Sequence, residues 1–179
     1  MLPFGGAPVA LLAGIIYSVI LLVAAIGDYR TRRIPNRLVL LLAILGVAYS
    51  LVRAPLLSGF AQAIGGIGTG LLCWLPFYVL GWLGAGDVKL FAAAGAWLGP
   101  GRAVEGALVA ALVGAVLSLI WMVRTRGVKG AVETLGLAAG SPGVLSPVGD
   151  ASRHATLPYG VAIAFGAIWA GWMPRLLHI

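Results

Sequence analysis

Residues 9–36 read VALLAGIIYSVILLVAAIGDYRTRRIPN, and this stretch contains the pattern that decides the fold. Its first part, up to Gly27, carries no charge. At ~1.5 Å per helical residue it is long enough to cross about 30 Å of hydrocarbon. Asp28 and a run of arginines then follow abruptly, and Pro35 and Asn36 predict a tight turn. The stretch therefore predicts a membrane-spanning helix that ends at Asp28.

The composition of the whole chain agrees with a membrane location. Of the 179 residues, 61% are hydrophobic and only 9% are charged, and the mean hydropathy is +1.04. A soluble domain carries about 25% charged residues, so the soluble globular class is excluded. Intrinsic disorder is excluded by the high hydrophobicity. The single cysteine, Cys73, rules out an internal disulfide and a tetracysteine metal site.

Further apolar runs indicate an all-α, polytopic protein with about six transmembrane helices in one domain, residues 1–179. The segment 124–156 is predicted to be a cytoplasmic loop, irregular around its Gly- and Pro-rich centre, 136–149. An amphipathic interfacial segment is the alternative for that loop. The predicted spans are residues 9–27, 38–52, 60–83, 88–99, 103–123 and 157–173.

The basic residues predict the orientation of these spans. With six spans, nine basic residues fall on one side and three on the other, and the basic side of a membrane protein faces the cytoplasm. Both termini are then external. The net charge of +7 is thereby explained without a nucleic-acid partner. The nine are Arg30, Arg32, Arg33, Arg37, Lys89, Arg124, Arg126, Lys129 and Arg153, and the three are Arg53, Arg102 and Arg175.

Acidic residues are scarce, so each one is informative. Glu105 and Glu133 lie beside loops and are expected to be solvated, and Asp150 is expected to be a turn residue. Asp28 and Asp87 differ, because the topology brings both to the cytoplasmic ends of different helices. A purely structural interpretation remains open for each. Asp28 can pair with the arginine four residues later, and Asp87 can cap a helix.

The sequences around these two aspartates favour a functional site. Residues 28–36 read DYRTRRIPN, and residues 84–90 read GAGDVKL. Gly84 and Gly86, just before Asp87, allow either a sharp turn or the close approach of a bound peptide.

At these positions the chain resembles the type IV prepilin peptidases, which are membrane aspartic proteases. The two blocks above match in order, and residues 157–163, LPYGVAI, form a third. The resemblance implies that Asp28 and Asp87 are the catalytic pair. It also implies cleavage of a short basic leader from prepilin-like precursors, at the cytoplasmic side of the bacterial inner membrane. No cofactor or metal is implied.

The chain resembles the short, peptidase-only members found with Flp/Tad pilus systems. Longer members have an N-terminal region with paired CxxC motifs that is associated with N-methylation. Residues 1–8 are too short for such a region and Cys73 is alone, so methyltransferase activity is not expected.

Other residues have predicted roles around the pair. Gly84 and Gly86 are expected to admit the substrate backbone, and Lys89 to contact a substrate carboxylate or a lipid phosphate. Tyr159 is a candidate to face the pair and donate a hydrogen bond. The arginines between residues 30 and 37 are expected to anchor the loop at lipid headgroups. The expected partners are a prepilin substrate and membrane lipids; the oligomeric state stays open.

Three other functions compete with this prediction. A signal peptide peptidase carries Tyr before its first Asp and a later Pro-Ala-Leu, whereas here Gly27 precedes Asp28 and no Pro-Ala-Leu occurs. A small transporter places its carboxylates near mid-bilayer. A non-catalytic subunit of a pilus or secretion assembly tolerates replacement of both aspartates.

Overall fold

The structure, a computed structural model, describes residue 4, residues 8–140 and residues 159–174; the side chains of residues 125–140 lie outside this description. The described chain forms helices and no strand, which confirms the all-α prediction. The helices are α1 (Pro8–Thr31), α2 (Asn36–Arg53), α3 (Leu56–Val79), α4 (Ala85–Leu98), α5 (Pro100–Gly140) and α6 (Tyr159–Trp172).

Four of these helices are long and apolar enough to cross a membrane. They are α1, α2, α3 and the part of α5 from Pro100 to Arg124. Helices α4 and α6 have 14 residues each, about 21 Å at ~1.5 Å per residue, which is less than the hydrocarbon thickness. The chain is therefore an integral membrane protein in which two of the six predicted spans are short helices.

Helix α5 is longer than the sequence predicts. Pro100 occupies its first helical position, where the missing N–H costs nothing, and Gly99 at φ 75° ends α4 just before it. The helix then continues through Gly140, into the segment predicted as loop 124–156. Residues 141–156 of that segment lie outside the described part of the chain.

Helix α4 lies inside the bundle. It contacts α2, α3, α5 and α6, and every residue from Leu90 to Leu98 is buried. The backbones of Gly66 in α3 and Gly95 in α4 touch, and a Cβ on either would overlap the other's carbonyl. The indole Nε1–H of Trp97 donates to the Leu42 carbonyl of α2 at 2.8 Å. Protein therefore surrounds α4 where lipid would surround an ordinary span.

The start of α5 corrects one prediction. Glu105 was expected to be solvated, but its side chain is only 2% exposed. The neighbouring Arg102 is 3% exposed and donates to the carbonyls of Ala170 and Met173 at 2.6 and 2.9 Å. These carbonyls belong to the C-terminal end of α6, where a cation is stabilised by the helix dipole. The first turn of α5 is thus packed against α6, and Glu105 is enclosed with it. The Glu133 side chain and Asp150 lie outside the described parts.

At the opposite end of the bundle, the termini of several helices lie together. Helix α1 ends at Thr31, and Arg32 adopts a left-handed φ of 51° while its N–H closes the helix on the Asp28 carbonyl at 2.8 Å. Helices α2, α4 and α6 begin at this same end. We call it the dyad end, because it holds Asp28 and Asp87.

Candidate active site

Asp28 lies in the last turn of α1 and is only 8% exposed. Its Oδ2 accepts a hydrogen bond from the backbone N–H of Gly160, in the first turn of α6, at 3.0 Å. Arg32 is close enough to interact electrostatically with the carboxyl group. The predicted Asp28–Arg32 interaction therefore exists, but the direct hydrogen bond to the carboxyl group comes from another helix.

Asp87 occupies the third position of α4, and its Oδ2 accepts the N–H of Gly84 at 3.2 Å. Gly84 is the N-cap residue of the helix. The structural alternative, in which Asp87 is itself the N-cap, is thus replaced by a related contact: Asp87 reaches back to the N-cap backbone. Oδ1 of Asp87 is buried and has no hydrogen-bond partner among the described residues. The helix start uses one oxygen of the carboxyl group and leaves the other available.

The two carboxyl groups lie within electrostatic reach of each other. The loop after α1 packs on the start of α4, since Ile34 lies 3.5 Å from the position of a Cβ on Gly86. Together with the Gly160–Asp28 hydrogen bond, this contact joins the three sequence blocks at the dyad end. Two carboxyl groups that interact electrostatically do not both ionise readily, and a proton shared between them gives the pair one acid and one base.

A cavity of about 500 Å³ lies between the end of α1, α5 and α6, and Tyr29, the residue after Asp28, contributes to its wall. Tyr29, Arg32, Arg124 and Tyr159 contribute to its lining, together with apolar side chains of α5 and α6. The Tyr159 hydroxyl lies 2.8 Å from Oγ of Ser118 in α5. The hydrogen bond found for the Tyr159 hydroxyl is therefore to α5, and its ring contributes to the cavity wall.

A second cavity, of about 400 Å³, lies between α2, α3 and α4. Most of its wall is apolar, and Lys89 and Asn36 are its polar members. The Lys89 side chain is exposed and forms no hydrogen bond or ion pair with any residue that the structure describes. Gly86 and Lys89 thus both lie in the first turns of α4. Gly86 packs against the α1–α2 loop, and Lys89 lines the second cavity, an apolar groove between α2, α3 and α4.

The sequence did not single out two residues of this site. Gly160 binds Asp28 through its backbone N–H, and Ser118 binds the Tyr159 hydroxyl. Gly160 belongs to the third sequence block, so the motif marked its position, but the sequence did not show that its N–H would bind Asp28. Ser118 lies in an apolar helix with no such signal. Within the described ranges, no group of three or more His, Cys, Asp or Glu residues is arranged to hold a metal ion.

These features define a polytopic helical membrane protein in which two aspartates meet at one end of the bundle. Residues 15–119, more than half of the chain and both aspartates, match the model of the type IV leader peptidase family. The chain belongs to this family, which confirms the resemblance found in the sequence.

One curated relative is a "Prepilin leader peptidase/N-methyltransferase" from Pectobacterium carotovorum subsp. carotovorum. It is 36% identical over 118 residues, which cover 63% of this chain and 42% of the relative. The chain thus matches less than half of the length of that protein. No solved structure matches the present chain.

Proposed function

We propose that this protein is a membrane aspartic endopeptidase that removes the short basic leader from prepilin-like precursors, with Asp28 and Asp87 as the catalytic pair. The observation that carries the proposal is the meeting of these two carboxyl groups at one end of the bundle. Oδ2 of each carboxyl group accepts a glycine N–H, and the buried Oδ1 of Asp87 has no hydrogen-bond partner among the residues that the structure describes. The family and the name of the curated relative agree with this activity.

The chemistry follows from a shared proton. The ionised carboxyl group accepts a proton from water as the water oxygen attacks the scissile carbonyl carbon, and the protonated group donates to the carbonyl oxygen. The resulting gem-diol intermediate collapses when its C–N bond breaks: the leaving nitrogen takes a proton from the protonated carboxyl group, and one hydroxyl of the intermediate returns a proton to the ionised carboxyl group as the carbonyl re-forms. One carboxylic acid and one amine are released, and no covalent enzyme intermediate forms. Which aspartate is the resting base is left open.

The substrate is expected to be an apolar helix with a basic leader. We assign Lys89 and its apolar groove to the binding of that helix, with the ammonium group facing a substrate carboxylate. The Tyr159 ring, on the wall of the other cavity, contributes to substrate contact near Asp28. Gly84 and Gly86 present a start of α4 with little side-chain bulk, so an unwound peptide can approach Asp87.

We further propose that the dyad end faces the cytoplasm of a bacterial inner membrane. Among the described residues, six basic side chains belong to the segments at this end, whereas two lie toward the other end. Such an asymmetry favours the cytoplasmic side and contact with anionic headgroups. The six are Arg30, Arg32, Arg33, Arg37, Lys89 and Arg124, and the two are Arg53 and Arg102.

Co-expression with candidate prepilins tests the proposal. The wild-type chain is expected to convert a precursor to the shorter mature form, whereas Asp28→Asn and Asp87→Asn accumulate in the membrane and leave the precursor intact. Processing at the wild-type level by both variants would eliminate the peptidase and favour a non-catalytic membrane subunit. Ion flux that requires both aspartates, with no cleavage, would favour a transporter.

A further inference from the structure

We propose that Gly160 is a positioning residue for Asp28: its N–H holds one carboxylate oxygen, and its lack of a side chain lets the carboxyl group reach that N–H. This inference rests on the proposed peptidase function and assigns a part of the site to α6. Helix α6 lies beyond residues 15–119, the range matched by the family model.

The contact joins residues that are far apart in the chain. The N–H of Gly160 lies in the first turn of α6 and has no carbonyl partner within its own helix, as is usual for the first four N–H groups. It donates to Oδ2 of Asp28 at 3.0 Å. The positive end of the helix dipole also points toward this carboxylate. The contact therefore fixes one oxygen of Asp28, Oδ2, relative to the start of α6.

Glycine is required here for a steric reason. A Cβ on Gly160 would lie 2.7 Å from Oδ2 and 2.9 Å from Cγ of Asp28. These distances are shorter than van der Waals contact, so any side chain would displace the carboxyl group. Asp87 shows a milder form of the same arrangement: its Oδ2 accepts the N–H of Gly84, where a Cβ would lie 3.2 Å away. Each carboxyl group thus has one oxygen bound by a glycine N–H.

Other contacts hold α6 against the bundle. The Tyr159 hydroxyl is 2.8 Å from Ser118, and a Cβ on Gly166 would lie 2.5 Å from the Gly106 carbonyl oxygen of α5. Gly166 therefore allows α6 to pack closely on α5. It provides a matched control, because alanine at that position disturbs the same helix away from the carboxyl pair.

Steady-state cleavage of a purified prepilin by Gly160→Ala and Gly166→Ala tests the inference, with rates normalised to folded enzyme. A displacement of a catalytic group by about 1 Å costs about 100-fold in rate. We expect kcat of Gly160→Ala to fall about 100-fold with KM unchanged. For Gly166→Ala we expect a lower thermal midpoint, with kcat per folded molecule retained. A kcat for Gly160→Ala within threefold of wild type, or a change confined to KM, would overturn the inference.

A second variant decides the matter if Gly160→Ala does not fold. Glycolic acid in place of Gly160, introduced by cell-free translation, replaces the N–H with an ester oxygen and adds no atoms. We expect kcat to fall at least tenfold; an unchanged kcat would refute the role of the N–H. Asp28→Asn and Asp87→Asn run alongside. If they also cleave at the wild-type rate, the proposed function fails; if they are inactive while the Gly160 variants are fully active, only this inference fails.

Discussion

The replacement Asp87→Asn separates the chemistry of the carboxyl pair from its contribution to folding. In the structure, Oδ2 of Asp87 accepts the Gly84 N–H at 3.2 Å, and the buried Oδ1 has no hydrogen-bond partner within the described part of the chain. Asparagine has nearly the same shape and can turn its amide oxygen to Gly84. The helix start is then preserved, while the group that exchanges a proton becomes an amide that cannot.

The expected effects on rate and stability differ widely. Loss of one general acid or base costs about 10²- to 10⁴-fold in rate, which corresponds to about 2.7–5.4 kcal/mol of transition-state stabilisation. Asparagine and aspartate are nearly equivalent at helix starts, so the free energy of unfolding should change by less than about 0.5 kcal/mol. Asp87→Ala removes the acceptor for Gly84 as well and should cost about 1 kcal/mol of stability.

The assay compares initial rates of prepilin cleavage by detergent-purified enzyme with thermal midpoints from tryptophan fluorescence. Asp87→Asn should melt like the wild type and cleave at least 100-fold more slowly. Asp87→Ala should be equally inactive and melt at a lower temperature. If Asp87→Asn cleaves within tenfold of the wild-type rate, Asp87 is not an acid or base of the reaction, and the shared-proton mechanism is wrong.

Three further predictions concern the surroundings of the pair. Lys89→Gln should raise KM about fivefold, because an exposed ion pair is worth about 1 kcal/mol, whereas Lys89→Arg should leave KM unchanged. Equal kinetics for both variants would show that Lys89 does not bind a substrate carboxylate. Tyr159→Phe breaks the hydrogen bond to Ser118 and should cost about 1 kcal/mol of stability with kcat within threefold. A 100-fold loss of kcat would instead place the hydroxyl in the chemistry. In a Cys73→Ser background, the exposed position Arg37→Cys should react with a membrane-impermeant thiol reagent only in inverted vesicles. If the cysteine at position 37 is labelled in intact cells, while a control cysteine on the cytoplasmic side is not, the proposed orientation is wrong.

Hydropathy and motif spacing predicted much of the fold and singled out the two aspartates at the dyad end as candidate site residues. Charge-free runs located the helices, because a membrane-spanning helix must be apolar over its length. Asp28 and Asp87 stood out because carboxyl groups are rare in such a chain. Neither signal depends on how the helices pack, which explains why both could be extracted from one sequence.

Packing between distant segments was beyond this reasoning. In the sequence, Glu105 lies close to Arg102 beside a loop and is expected to be solvated, but both side chains are buried. The burial of Arg102 is possible because the carbonyls at the end of α6 accept its guanidinium N–H groups. The motif marked Gly160, but the sequence could not predict its contact with Asp28, because the approach of its N–H to that carboxyl group depends on how α1 and α6 cross. The extension of α5 through Gly140 was missed because charges and glycines were interpreted as a loop.

The enclosure of α4 has a consequence for how the protein tolerates different membranes. When the bilayer thickness changes, a lipid-facing helix tilts, or the bilayer around it becomes thicker or thinner. Helix α4 touches other helices on its sides, so its position is set by them and Asp87 keeps its depth relative to Asp28. Reconstitution in lipids of increasing acyl length should therefore change the tilt of the outer helices before it changes the separation of the two carboxyl groups.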